Sequence, residues 1–265
     1  MSGHSKWSTI KRKKGVADAK RGQTFTKLGR IITIAAREGG GDPEANFSLR
    51  LAMDKARMAN MPIDTVERAI KRGTGDADGE AALEKGIYGG YGPGGIAIAV
   101  DVLTDSKNRT VSELRKIFEE HGGSLADASS VLWQFHEKGE IVIKCAKVKE
   151  AEKFGGESTF VSVDADEVMM NLMDIAGVED ISEDSDHGEG VSSAAKECMV
   201  MTAVKDVSSV RDAIEEYGFV VTSVEIVKIA EQTQVIDEET SKKLESLVES
   251  LEEHDDVENV WTTEA

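Results

Sequence analysis

The spacing of apolar residues changes near residue 75, and the change predicts two kinds of structure. Before it the period is helical. In FTKLGRIITIAARE, Phe25, Leu28, Ile31, Ile32 and Ala35 fall on one face of a helix. The glycines at 39–41 stop that helix. Asp42 and Pro43 then read as N-cap and first position of a second helix over 43–59, with Phe47, Leu51 and Met58 as core positions. Asn60-Met61-Pro62 breaks it, and Asp64 is expected to cap a third helix, TVERAIKR, that Gly73 ends. Residues 3–22 carry no apolar period and read as an extended or loosely helical arm.

The polar stretch GTGDADGE at 73–80 reads as a linker, and beyond it short strands alternate with helices. Strands are expected at 96–104, 130–136, 140–145, near 178–182, and at 197–204, 221–229, 232–236 and 257–263. Helices are expected at 108–122, 164–176, 207–218 and 238–254. VSELRKIFEEHG (111–122) and VSSVRDAIEEYG (207–218) repeat Val, Ser, Arg, Glu, Glu and Gly at matching positions. Each repeat follows one strand and precedes another, which suggests two ferredoxin-like β-α-β-β-α-β units. The expected fold is α+β, with a basic helical domain over 1–78 followed by two plaits. The first plait takes 79–136 and 230–265, and the second, 137–229, is inserted in it.

Charge divides the chain at the same place. Residues 1–72 hold sixteen Lys and Arg against seven Asp and Glu, a net of +9. The remainder holds sixteen against 43, a net of −27, within a total of −18 over 265 residues. At 40% hydrophobic residues the chain is not a disordered acidic polymer. No apolar run approaches the ~18 residues of a membrane helix, and no apolar segment of the secretory type follows the basic start. Cys145 and Cys198, without a C-x-x-C pairing, fit buried thiols at one edge of neighbouring strands in a reducing, cytoplasmic setting, and argue against a zinc or iron–sulfur site.

Among the first thirty residues, Lys6, Lys11, Arg12, Lys13, Lys14, Lys20, Arg21, Lys27 and Arg30 face one acid, Asp18. Such a cluster releases counterions on meeting a polyanion, so it reads as a phosphate-binding surface with a steep salt dependence. Trp7 is available to stack on an exposed base or to pack on the helices. Phe25 belongs to the core face. Arg68, Lys71 and Arg72 either extend the binding surface or simply complement the dipole at the end of the third helix.

Catalytic chemistry finds little support. GYGPGG (90–95) matches G-x-G-x-x-G but precedes a strand instead of opening a helix, so a turn or surface loop is expected and not a dinucleotide site. DADG (76–79) lacks the later ligands of a calcium loop. The five histidines are scattered, and His121 matches Tyr217 in the repeat, which points to a structural position. No cofactor, metal, catalytic residue or small-molecule substrate is expected.

GHSKW (3–7), DAKRG (18–22), FTKLGR (25–30), REGGGDPEAN (37–46), ERAIKRGTG (67–75), YGPGG (91–95), LTDSKNRT (103–110) and the ending DDVENVW together resemble the YebC/PmpR family, which is also similar to a mitochondrial translational activator of cytochrome oxidase. The resemblance implies a cytoplasmic three-domain protein without enzymatic activity. It implies a DNA-binding transcriptional regulator, or alternatively a ribosome-associated translation factor that contacts rRNA or tRNA and assists elongation. Ser106 departs from the family's usual Asn. The stretch 146–190, with KFGGESTF and EDSDHGEG, fits the pattern poorly and inherits nothing. None of the three helices offers a face of Arg, Asn and Gln for reading bases, so the expected contact is to phosphate. A monomer is the favoured state.

Overall fold

In the computed structural model, residues 18–75, 83–149, 159–183 and 197–265 are described. They form a mixed α+β structure with eight helices and two antiparallel sheets. Their contacts divide the chain into two units. One takes the described residues up to His136 together with Ile229–Ala265, and the other takes Glu137–Lys228.

The first unit begins with three helices: α1 (Asp18–Gly39), α2 (Phe47–Met58) and α3 (Ile63–Gly73). Leu28, Ile32 and Ala35 of α1, Leu49, Ala52 and Ala56 of α2, and Val66 and Ala69 of α3 form their common core. Phe25 and Ile31 pack against it, as the helical period requires. Helix α1 starts at Asp18, inside the stretch expected to be an arm. The start of α2 also differs from expectation. Its cap is Asn46, whose Oδ1 accepts the Leu49 N–H at 3.1 Å, while 43–45 forms a turn. The Asn46 amide, buried, donates to the carbonyls of Ala35 at 2.7 Å and Gly40 at 2.8 Å, and so ties α2 to the end of α1. Asp64 does not cap α3. Pro62 precedes the helix, and Asp64 lies in its first turn. Gly73 must be small, because a Cβ there would lie 2.3 Å from the Thr33 carbonyl oxygen.

The first sheet is built from β1 (Glu84–Tyr91), β2 (Ala97–Thr104), β3 (Ser124–Ala126) and β9 (Val257–Thr262), in the order β3-β1-β2-β9. Helices α4 (Lys107–Glu120) and α8 (Glu238–Glu253) cover one face, with Leu114, Phe118, Leu244, Leu247 and Leu251 against Ile98, Val100 and Val260. Helix α5 (Ala128–Leu132) and Phe135 cover Ala97 and Ala99 on the other face. Burial on both faces explains the continuous apolar run of β2. Strand β1 was not legible in EKGIYGGY because its glycines hide the pattern. At Gly90 a Cβ would lie 2.5 Å from the Phe118 ring. The segment 130–136, expected to be a strand, is α5 followed by the start of a strand, because Asp127 caps a helix through the Ser129 N–H at 2.9 Å. The expected strand at 232–236 reduces to one bridge between Gln234 and Glu264.

In the second unit, β4 (Phe135–Lys149, which begins in the first unit) pairs with β7 (Glu197–Thr202), with β5 (Thr159–Ser162) and with β8 (Phe219–Ala230). Strand β7 also pairs with β6 (Val178–Glu183). Helices α6 (Ala165–Met173) and α7 (Val207–Glu216) complete it. The repeated sequence segments are α4 and α7. Leu114 and Phe118 of one match Val210 and Ile214 of the other, all fully buried. Each helix is followed by a glycine in the left-handed region, Gly122 at φ 74° and Gly218 at φ 81°.

Candidate nucleic-acid interface

Lys6, Trp7, Lys11, Arg12, Lys13 and Lys14 lie outside the described residues, as do the side chains of Lys20 and Arg21 and the stretch 76–80 expected as a linker. The other candidate cations separate into two groups, one hydrogen-bonded to the sheet domain and one exposed along α3.

Lys27 and Arg30 belong to the first group. Lys27 Nζ donates to the Glu252 carbonyl at 2.6 Å. Arg30 Nη1 donates to Asp256 Oδ1 at 3.1 Å and to the Asp255 carbonyl at 3.1 Å. Asp256 is 2% exposed. Its second oxygen accepts from Arg109 Nη2 at 2.9 Å and lies 2.8 Å and 3.1 Å from the hydroxyls of Thr110 and Thr104. Burial alone would raise the pKa of this carboxyl. The hydrogen bonds from Arg109, Thr110 and Thr104, with the charge of Arg109, outweigh burial and hold it below the usual carboxylate range. Two further contacts join the same parts: Lys85 to Glu38 at 2.7 Å, and the Arg37 guanidinium toward the Leu83 carbonyl at 3.5 Å.

Glu258, on the same sheet edge, is shifted the other way. Burial pushes its pKa up and the charge of Asp101 adds to the effect, while Lys85, Lys55 and Lys27 oppose it. Cations of α1 and α2 therefore face acids of the sheet domain, and part of the charge division is satisfied inside the molecule.

Glu113, His254 and Asp256 bring metal-ligating atoms within 4.8 Å of one another. Their chemistry does not suit a cation. Asp256 already faces two guanidinium groups, His254 Nδ1 accepts the Asp256 N–H at 3.1 Å, and His254 Nε2 lies 2.9 Å from Glu113.

Arg68, Lys71 and Arg72 form the second group. They are exposed and stand at i, i+3 and i+4 on α3, so they share one stripe. Arg68 is braced along the helix, with Nε donating to the Asp64 carbonyl at 3.0 Å and Nη2 to Thr65 at 3.3 Å. Next to this stripe a cleft of about 450 Å³ opens between α1 and α3, with Leu83 and Asp105 contributing from beyond the helices. Phe25, Arg30 and Arg72 line it, and Thr26, Thr33 and Thr65 place hydroxyl groups around it.

Arg109, Thr104, Thr110 and Asp256 were not singled out by charge or period. Their signal lay in the segments LTDSKNRT and DDVENVW, which the fold brings together.

The architecture is that of an α+β protein in which a basic three-helix module is seated on an acidic sheet domain by a buried carboxylate. The family model for the TACO1/YebC N-terminal domain matches residues 5–76, and that for the TACO1/YebC second and third domain matches 83–263; the chain belongs to this family. It is 42% identical over 261 residues to a probable transcriptional regulatory protein of Dictyoglomus turgidum, covering 98% of this chain and 94% of the relative. With a protein of the same description from Herpetosiphon aurantiacus the identity is 44% over 262 residues, covering 99% and 94%. The crystal structure of a conserved hypothetical protein from Aquifex aeolicus superposes with a TM-score of 0.74 at 35% identity, over 94% of this chain and 91% of that one.

Proposed function

We propose that this protein is a non-enzymatic regulator of gene expression that grips nucleic-acid phosphates with its basic helical module. The carrying observation is the stripe of Arg68, Lys71 and Arg72, exposed on the module that concentrates the chain's positive charge. Relatives named as probable transcriptional regulatory proteins favour duplex DNA as the polyanion. The N-terminal cations from Lys6 to Arg21 add to the positive charge of the same module. Lys27 and Arg30 act differently, holding the module on the sheet domain.

A second reading, a ribosome-associated translation factor on rRNA or tRNA, is supported by the content of the α3 stripe. It offers Arg and Lys beside Asp64 and Glu67 and lacks the Asn or Gln that would read adenine edges. Phosphate contacts of this kind position a protein on RNA as well as on DNA.

We further read the two sheets as plaits in the orders β9-β2-β1-β3 and β8-β4-β7-β6, the second inserted in the first, and place the protein in the cytoplasm. Among the described residues no helix is long and apolar enough to cross a membrane.

The test removes residues 1–17, which leaves α1 whole, and measures affinity for duplex DNA and for single-stranded RNA across a salt series. Weaker binding with a flatter salt slope supports phosphate gripping by the N-terminal cations, and unchanged binding removes those cations from the interface. Preference for particular duplexes over random DNA favours promoter regulation, whereas arm-dependent co-sedimentation with ribosomes favours the second reading.

A further inference from the structure

Cys145 and Cys198 are the only cysteines of the chain. Their sulfur atoms lie 2.8 Å apart, and the residues are 1% and 0% exposed. The register of β4 on β7 explains the approach. Ile143 pairs with Cys198, and Cys145 stands two positions further along β4. Residues two apart share a sheet face, so both side chains enter the same layer on neighbouring strands. The two residues stand diagonally across the strand pair, where diagonal neighbours are ~7–8 Å apart, and the 2.8 Å between their sulfurs shows that the side chains reach across that offset.

We propose that Cys145 and Cys198 form a modification site: an intramolecular disulfide pair whose oxidant is a low-molecular-weight disulfide of the glutathione type. One protein thiolate attacks the small disulfide, forms a mixed disulfide and releases one small thiolate. The second protein thiolate attacks the protein sulfur of that mixed disulfide, closes the Cys145–Cys198 bond and releases the other small thiolate. Two protein thiols are oxidised, one small disulfide is reduced, and the two protons leave with the released thiols.

Burial slows the first attack without forbidding it. Local opening of the strands costs less free energy than global unfolding, and such opening admits the oxidant. The closed bond would tie β4 to β7, across a segment that contains β5, α6 and β6.

The full-length protein is incubated under native conditions with oxidised glutathione, then analysed by intact mass and non-reducing peptide mapping. The expected product is a monomer lighter by two hydrogen atoms, with the two cysteine peptides linked and the link reversed by dithiothreitol. In glutathione buffers of graded ratio, the equilibrium constant for the link should be at least tenfold higher in the folded protein than in the chain unfolded in guanidinium. A persistent glutathione adduct, a disulfide-linked dimer, two thiols that still titrate after a day, or a folded-state constant no higher than the unfolded one would each overturn the proposal.

Discussion

Arg30 of α1 and Asp256, between α8 and β9, are 226 positions apart in the chain and 3.1 Å apart in space. The carboxylate is buried, and Arg109 holds its other oxygen at 2.9 Å. One acid thus receives a guanidinium from the helical module and another from the sheet domain, and it is the joint between them.

Replacing that acid should loosen the joint. Asp256→Asn leaves Arg30 and Arg109 without their shared charge, and a charged hydrogen bond of this kind contributes about 2 kcal/mol. We expect a lower melting temperature by calorimetry. Because the folded pKa is depressed, the stabilisation is present above the unfolded pKa and lost as pH falls through the folded one. The difference between wild type and variant should therefore narrow in acid. An equal difference at neutral and strongly acidic pH would contradict the arrangement.

Arg30→Ala separates holding from gripping. If Arg30 serves the joint, the variant melts earlier while the salt slope of nucleic-acid binding stays near that of the wild type. A flatter slope with unchanged melting would return Arg30 to the binding surface.

The α3 stripe predicts the reverse. Arg68, Lys71 and Arg72 changed together to Gln should leave thermal stability nearly unchanged, since all three are exposed. The slope of log affinity against log salt should fall by up to about 2.7 on duplex DNA and about 2 on a single strand, one phosphate per lost charge. A slope unaltered by the triple change would remove the stripe from the interface.

Glu258 carries a pH signature of opposite sign to that of Asp256. Its pKa is raised, first by burial and then by Asp101, so its ionisation in the folded protein costs stability as pH rises through that value. Glu258→Gln should therefore raise the melting temperature at neutral pH, with the gain disappearing below the ordinary glutamate range. A variant that melts earlier at pH 7 would show that Lys85, Lys55 and Lys27 dominate instead.

Gly90→Ala tests the packing that hid β1 from the sequence. The added methyl group meets the Phe118 ring at 2.5 Å and the Ser124 carbonyl oxygen at 2.9 Å. Such crowding costs about 2 kcal/mol, measurable as an earlier denaturant midpoint.

What the sequence determined by itself was local or additive. The helical period placed Phe25, Leu28 and Ile32 on the core face, the repeat matched Leu114 and Phe118 with Val210 and Ile214, and summed charge located the basic module. Tertiary structure decided whatever depends on a distant partner. Asn46 outcompetes Asp42 as the cap of α2 because its amide also reaches Ala35 and Gly40. EKGIYGGY becomes a strand because Phe118 and Val131 need its glycines bare. Cations that look equivalent in composition also take different roles. Lys27 and Arg30 donate to the Glu252 carbonyl and to Asp256, whereas Arg68, Lys71 and Arg72 are exposed along α3. Charge acts through space, so its sum can be read along the chain, but the partner of each charge is fixed only when the fold sets the distances.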